Sequence, residues 1–160
     1  MHNRTKVLEP ATTTSRLTHL ELGAWRGFLR VHAALTRQLD AELEAEHGLP
    51  LTAYEVLLHL ADAPDGMRRM SELADSVLLS RSGLTRLADR LEGQGLIERR
   101  ACPSDARGAN AAITAAGRKR FDAARVTHLR GIRERFTGRL SQQEAAELGR
   151  LWDRMLPGSA

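Results

Sequence analysis

Residues 70–117 read MSELADSVLLSRSGLTRLADRLEGQGLIERRACPSDARGANAAITAAG, and the order of patterns in this stretch decides the fold. A short helical segment with Leu73, Ala74 and Val77 as its apolar residues is followed by a turn, then by a second helix opening at Ser80. In that second helix Leu84, Leu87, Ala88 and Leu91 recur at helical spacing and make one apolar stripe. About half a turn of the wheel away stand Ser82, Arg86 and Asp89, flanked by Thr85 and Arg90. Gly93 and Gly95 end the helix, Leu96 to Arg100 has the composition of a strand, and Ala109 to Thr114 can pair with it. The connection from Cys102 to Gly108, with Pro103, Asp105 and Arg107, is longer than a two-residue turn, so a projecting wing is expected. A helix with a leucine back and a Ser/Thr/Arg front can be held by a core while it offers donors outward. That is what a major-groove reader needs, although a solvated charged face has the same pattern.

Upstream, residues 1–15 are polar and Thr-rich and read as a loosely attached arm. A long helix is expected from Arg16 to His47, stopped by Gly48 and Pro50. Leu17, Leu20, Ala24, Phe28, Val31, Leu35, Leu39 and Leu43 form one stripe on it, and Leu22, Trp25 and Leu29 a second. Two stripes need two partners, so one is assigned to the domain's own core and the other to a second subunit or a ligand. The next helix starts at Leu51, with Thr52 as its N-cap and Glu55 completing a capping box. Its Val56, Leu57, Leu58 and Leu60 make it apolar around much of its circumference, which places it at the centre of the core. Ala63 to Gly66 is a turn, and Ser71 is expected to cap the short helix that follows.

Downstream, a helix restarts at Ala115 with Phe121, Leu129, Ile132 and Phe136 as its apolar register and ends before Gly138. Ser141 and Glu144 form a capping box opening a last helix with Ala145, Leu148, Leu151, Trp152 and Met155 on its apolar side. The fold class is therefore mainly α: a winged helix-turn-helix with a small β-wing, flanked by N- and C-terminal helices. Residues 16–50 are read as a dimerisation or ligand segment and 118–160 as dimerisation helices, around a winged helix-turn-helix lobe at 51–117. An exposed Trp and Leu face is costly to leave wet, so a two-fold homodimer is expected.

With 160 residues, 42% apolar and only 4% aromatic, the chain suits one Leu/Ala-rich helical domain. A net charge of +4 fits a polyanionic partner or an ordinary solvated surface. Its distribution is uneven: Arg68 to Arg107 carries eight basic and six acidic residues, Arg118 to Arg139 eight and two. Arg118, Lys119 and Arg120 could reach a DNA backbone, whereas Arg125, Arg130, Arg133 and Arg135 suit the acidic end of the first long helix or an anion. The single Cys102 excludes an intramolecular disulfide, and with no signal-like or membrane-spanning run a cytoplasmic protein with no membrane partner is expected. No nucleophile elbow, phosphate loop or metal motif is present, so neither an enzyme nor a cofactor or metal is expected.

Several stretches in order carry a family resemblance: Leu51-Thr-x-x-Glu55, Ser71-Glu-Leu-Ala74, Ser80 through Ile97, Pro103-Ser-Asp105-Ala-Arg107 and Ile113-Thr-x-x-Gly117. The chain resembles the MarR (multiple antibiotic resistance regulator) family of winged-helix transcription factors from about Leu17 to Leu156. The resemblance implies a dimer on a pseudo-palindromic DNA operator, usually a repressor, released by a small phenolic or anionic effector. It places Ser80, Ser82, Thr85, Arg86 and Arg90 at the major groove or its phosphates, with Ser71 and Arg81 beside them. Arg107 would enter the minor groove, oriented by Asp105. The family's usual Asp-Arg-Arg is Asp-Ala-Arg here, so Ala106 removes one phosphate contact. Trp25, Phe28, His32, Tyr54 and His59 are the effector candidates, with core or dimer packing an equal reading for the aromatic ones. His32, His59 and His128 lack the Cys or paired carboxylates of a metal site. A winged helix used only for protein contacts is the alternative function, and it has no need to project Arg86 and Arg107.

Overall fold

The computed structural model describes residues 16–77, 79–102 and 105–156, with the backbone alone at residue 102 and over 105–108. The expected arm at residues 1–15, and the side chains of Cys102, Asp105 and Arg107, lie outside the described residues. In order come α1 (His19–His47), α2 (Leu51–Ala61), β1 (Met67–Arg69), α3 (Met70–Ser76), α4 (Arg81–Gly93), β2 (Ile97–Cys102), β3 (Asp105–Ile113) and α5 (Ala115–Arg135). A 3-10 turn (Thr137–Arg139) and α6 (Gln142–Met155) complete it. The chain divides within α1, between Ala33 and Ala34, into two compact units.

In the first unit α1 begins at His19, three residues later than the expected Arg16, because Thr18 and Glu21 close a capping box. The Glu21 carboxylate accepts from the Thr18 N–H at 2.7 Å and its hydroxyl at 2.8 Å, and Thr18 Oγ1 accepts the Glu21 N–H at 3.3 Å. Leu17, Leu20, Trp25, Phe28, Leu29 and Val31 are all exposed. The expected apolar stripe is thus real in sequence but left uncovered over this half.

In the second unit the same stripe goes under cover, Leu39 and Leu43 joining a core with Tyr54, Leu57, Leu60, Leu73, Leu84, Leu91 and Phe121. Leu51, Ala53, Tyr54, Val56, Leu57 and Leu60 of α2 are buried, as its all-round apolarity requires. Its expected cap is corrected, however. Pro50 holds the N-cap position with ψ 151° and makes no side-chain cap bond, and the free Leu51 N–H is instead met by Asp40 Oδ1 of α1 at 2.8 Å. Glu55 is therefore no capping-box residue, and partial burial raises its carboxyl above the ordinary range.

Ser71 is likewise not a cap, since Arg69 precedes α3 and no side chain caps it. Met67–Arg69 forms a strand that the pattern of a Met and two arginines did not announce. The sheet is three-stranded and antiparallel in the order β1-β3-β2, with Met67 opposite Ala112 and Ile97 opposite Ile113. The pairing of β2 with β3 also reaches further than the expected Cys102–Gly108 loop allows. Cys102 stands opposite Asp105, with a register shift next to Ala101, which faces Ala109.

Helix α5 corrects the apolar register read from sequence. Leu129 is 46% exposed, and the buried line is Gly117, Phe121, Ala124, Thr127 and Gly131. Small residues carry it because the helices nearly touch: a Cβ on Gly131 would stand 2.6 Å from Leu39 Cδ2. The capping box of α6 is present as read, with Ser141 accepting the Glu144 N–H at 3.2 Å and the Glu144 carboxylate accepting from Ser141. No residue of α6 is buried.

Candidate nucleic-acid interface

Helix α4 is built outward from its leucines. Leu84, Leu87, Ala88 and Leu91 are buried, which forces the residues between them into solvent. Ser80 caps the helix by accepting the Gly83 N–H at 3.1 Å, and its hydroxyl lies 3.2 Å from that of Ser82. The Thr85 hydroxyl donates to the Arg81 carbonyl at 2.9 Å, leaving its lone pairs outward. Arg81, Ser82, Thr85, Arg86, Asp89 and Arg90 are exposed. Arg86 and Arg90 border an open cleft of about 280 Å³ shared with Thr52, Leu79, Gly83 and Leu87. Among the described residues neither Arg86 nor Arg90 meets a carboxylate within salt-bridge distance. Ser71 is exposed in the first turn of α3.

The basic start of α5 has a job within the chain. Arg118 donates to the Ala61 carbonyl at the end of α2 (3.3 Å) and Arg120 to the His47 carbonyl at the end of α1 (2.6 Å). Each guanidinium thereby meets the unsatisfied, negative end of a helix, while both side chains stay exposed. Further along, Arg130 reaches Glu46 at 2.5 Å and Arg135 pairs with Glu42, as the charge distribution suggested. Thr127 donates its hydroxyl to Glu46 Oε2 at 2.7 Å. With that hydrogen committed, His47 Nε2, 2.8 Å from Thr127 Oγ1, must be the donor of their bond. The Thr127 bond first, then Arg130, holds the Glu46 carboxyl below the ordinary range.

The effector candidates fall in the two units. In the first, Trp25 and Phe28 stack with ring centroids 6.0 Å apart, and Phe28 and His32 at 6.1 Å, forming an exposed aromatic ladder. In the second, Tyr54 is only 2% exposed, stacked on Phe121 at 5.4 Å and tilted against His128 at 4.5 Å. His59 is half-buried, its imidazole pushed down by burial and then by Arg68. His128 and Phe121, seven residues apart on one face of α5, are the ring partners of Tyr54 and were not among the effector candidates. Among the described residues no three His, Cys, Asp or Glu are grouped to hold a metal, and no helix is long and apolar enough to cross a membrane.

Burial lowers the His128 imidazole below its ordinary value, and among the described residues its Nδ1 has no hydrogen-bond partner. Because the unfolded chain takes up that proton first, the associated stability is present above the unfolded value, about pH 6.5, and lost as pH falls through it. Melting temperature should therefore drop between pH 7.5 and 5.5, and less steeply in His128→Phe. Parallel melting curves for the two proteins would remove this role.

The comparisons agree with this geometry. A profile described as MarR family matches residues 47–108, the span from the end of α1 to the wing. AbsC, a MarR family transcriptional regulator from Streptomyces coelicolor, is 32% identical with a TM-score of 0.82, over 89% of this chain and 95% of its own. The chain belongs to the MarR family of transcriptional regulators. Sco3205, a MarR family regulator from the same organism solved in complex with DNA, is 31% identical at TM-score 0.82, covering 91% of this chain and 94% of that one. A mutant MarR from E. coli complexed with operator DNA is 25% identical at TM-score 0.75, covering 89% and 100%. No curated protein matches the chain.

Proposed function

We propose that this MarR-family chain is a non-enzymatic repressor that binds a pseudo-palindromic DNA operator as a homodimer and releases it when a phenolic or anionic effector binds. The observation that carries the reading is the exposed row Ser82, Thr85, Arg86 and Arg90, standing on a helix whose other side is buried leucine. Ser80, Arg81, Ser82, Thr85, Arg86 and Arg90 would meet the major groove and its phosphates, with Ser71 on the adjoining backbone. Arg107, oriented by Asp105, would enter the minor groove from the wing. Residues 51–117 would thus meet DNA, leaving residues 16–50 and 118–160 for the dimer. Support for the dimer comes from α6, a helix of 14 residues on which Leu151, Trp152 and Met155 are exposed. A second copy related by a two-fold axis would cover such a face and fix the spacing of two recognition helices.

For the effector, the exposed ladder of Trp25, Phe28 and His32 supports a surface on which an aromatic acid could stack. Within the second unit, and independently of that ladder, Tyr54 and His59 are the proposed effector contacts. The experiment is a binding-site selection on purified protein, then titration of the selected duplex against salt with the oligomeric state followed by sedimentation. A dimer whose affinity falls by about a thousandfold or more between 50 and 200 mM salt is expected for six or more phosphate contacts. A weak, salt-insensitive interaction would favour a winged helix used for protein contacts.

A further inference from the structure

Between the end of α4 and the start of the wing the chain turns a corner at Gly95 (φ 70°), and one side chain spans it. Arg99, on β2, places Nη2 2.7 Å from Asp89 Oδ1 and 2.6 Å from Glu92 Oε2. Its Nε donates to the same Glu92 oxygen at 2.8 Å, and its backbone N–H to Glu92 Oε1 at 2.9 Å. Glu92 is thus held by both main chain and side chain of Arg99, while the guanidinium also reaches back to Asp89, one turn earlier on α4. A planar fork with two fixed acceptors sets an orientation that a flexible ammonium could not. The pair is partly open to water, its arginine side chain 33% exposed, so its contribution to folding is small. What it does fix is an angle. β2 carries Arg99 opposite Ala111 of β3, and the same ladder runs outward to Asp105 at the wing.

The second consequence is electrostatic. Asp89 lies seven residues after Ser82 and three after Arg86, on the same exposed face of α4. Unpaired, its carboxylate would present a full negative charge to a polyanion; Arg99, shared between Asp89 and Glu92, offsets part of it.

We propose that Arg99 is a positioning residue that braces the wing against the recognition helix and offsets part of the Asp89 charge on the DNA-facing side. The proposal rests on the reading of α4 and the wing as a DNA interface, but the brace itself can be measured without DNA. In the free protein Arg99→Met should accelerate amide hydrogen exchange across β2 and β3 by at least tenfold, with the helical circular dichroism unchanged. Unaltered exchange would overturn the brace, whatever the protein binds. On the selected operator, Arg99→Met should weaken binding at least tenfold. It should lose hydroxyl-radical protection in the minor groove at the wing positions while keeping guanine N7 protection in the major groove at saturating protein. Equal loss of both protections would make Arg99 a general contact and overturn its positioning role, as would a wild-type footprint. Where Arg99→Met fails to fold, Glu92→Gln, which keeps the arginine and one neutral acceptor, should show the same exchange and footprint changes at about threefold size. A wild-type result in Glu92→Gln overturns the proposal. A wild-type protein that binds no duplex, with exchange still sensitive to Arg99, would instead remove the DNA reading and leave the brace.

Discussion

Gly117→Ala should lower the melting temperature by about 10 °C, although alanine is the better helix former by roughly 1 kcal/mol. A Cβ at this position would stand 1.9 Å from the Leu96 carbonyl oxygen, 2.9 Å from its carbon and 3.0 Å from Ile113 Cγ1. The first of these is far inside van der Waals contact, and the atom in the way is backbone, which cannot swing aside. Nor can α5 retreat freely. Its N-cap Thr114 is tied to the same corner: the Leu96 carbonyl accepts the Thr114 N–H at 3.1 Å, and the Thr114 hydroxyl donates to Gly95 at 2.6 Å. That hydroxyl also accepts the Gly117 N–H at 3.0 Å. Opening the gap for a methyl group costs overpacking of about 1–3 kcal/mol and, with two of these bonds broken, about 2 kcal/mol more. Against a total stability of about 5–15 kcal/mol that is a large share. Thermal unfolding followed by circular dichroism checks it, and a melting temperature within about 3 °C of wild type would mean that α5 does not approach Leu96 so closely.

The same corner explains how much of this fold could be read in advance. Periodicity found α2 and α4 because their apolar residues repeat within one helix and are buried for that reason. It misread α5, where closeness of approach, not hydrophobicity, selects Gly117, Ala124 and Gly131, and where Leu129 is left outside. β1 is three residues long and exists only through its pairing with β3, more than forty residues away, so no local pattern could announce it. The N-terminus of α2 failed for a similar reason. Thr52 and Glu55 have the spacing of a capping box, but Pro50 already occupies the cap and Asp40, from another helix, serves the first amide. In the candidate interface the exposed row of α4 was legible because it is the complement of a buried stripe. Arg99 was not, because its acceptors lie across a turn and no spacing rule links a strand arginine to helix carboxylates seven and ten residues earlier. The contacts of Arg118 and Arg120 with helix-end carbonyls were not legible for the same reason, those partners being more than fifty residues distant.

Arg86→Ala should erase most of the distinction between operator and random duplex while leaving fold and oligomeric state unchanged. On a helix, Asp89 is the natural neutralising neighbour for Arg86, three residues on. In this structure Arg99 engages the Asp89 carboxylate at 2.7 Å, so Arg86 keeps its fork of donors available in solvent. A guanidinium in that state, on a face with Ser82 and Thr85, can donate to both acceptors of a guanine edge, a contact that discriminates by about 1–3 kcal/mol per base pair. In a two-fold dimer the contact occurs once per half-site, so the operator affinity of Arg86→Ala should fall by roughly two orders of magnitude. Random duplex, met through phosphates alone, should weaken only by about threefold, with a slightly shallower salt slope. The decisive quantity is therefore the ratio of the two affinities at one salt concentration. If both fall by the same factor, Arg86 is a phosphate contact, and the reading of sequence must lie with Ser82, Thr85 and Arg90 on the same exposed face.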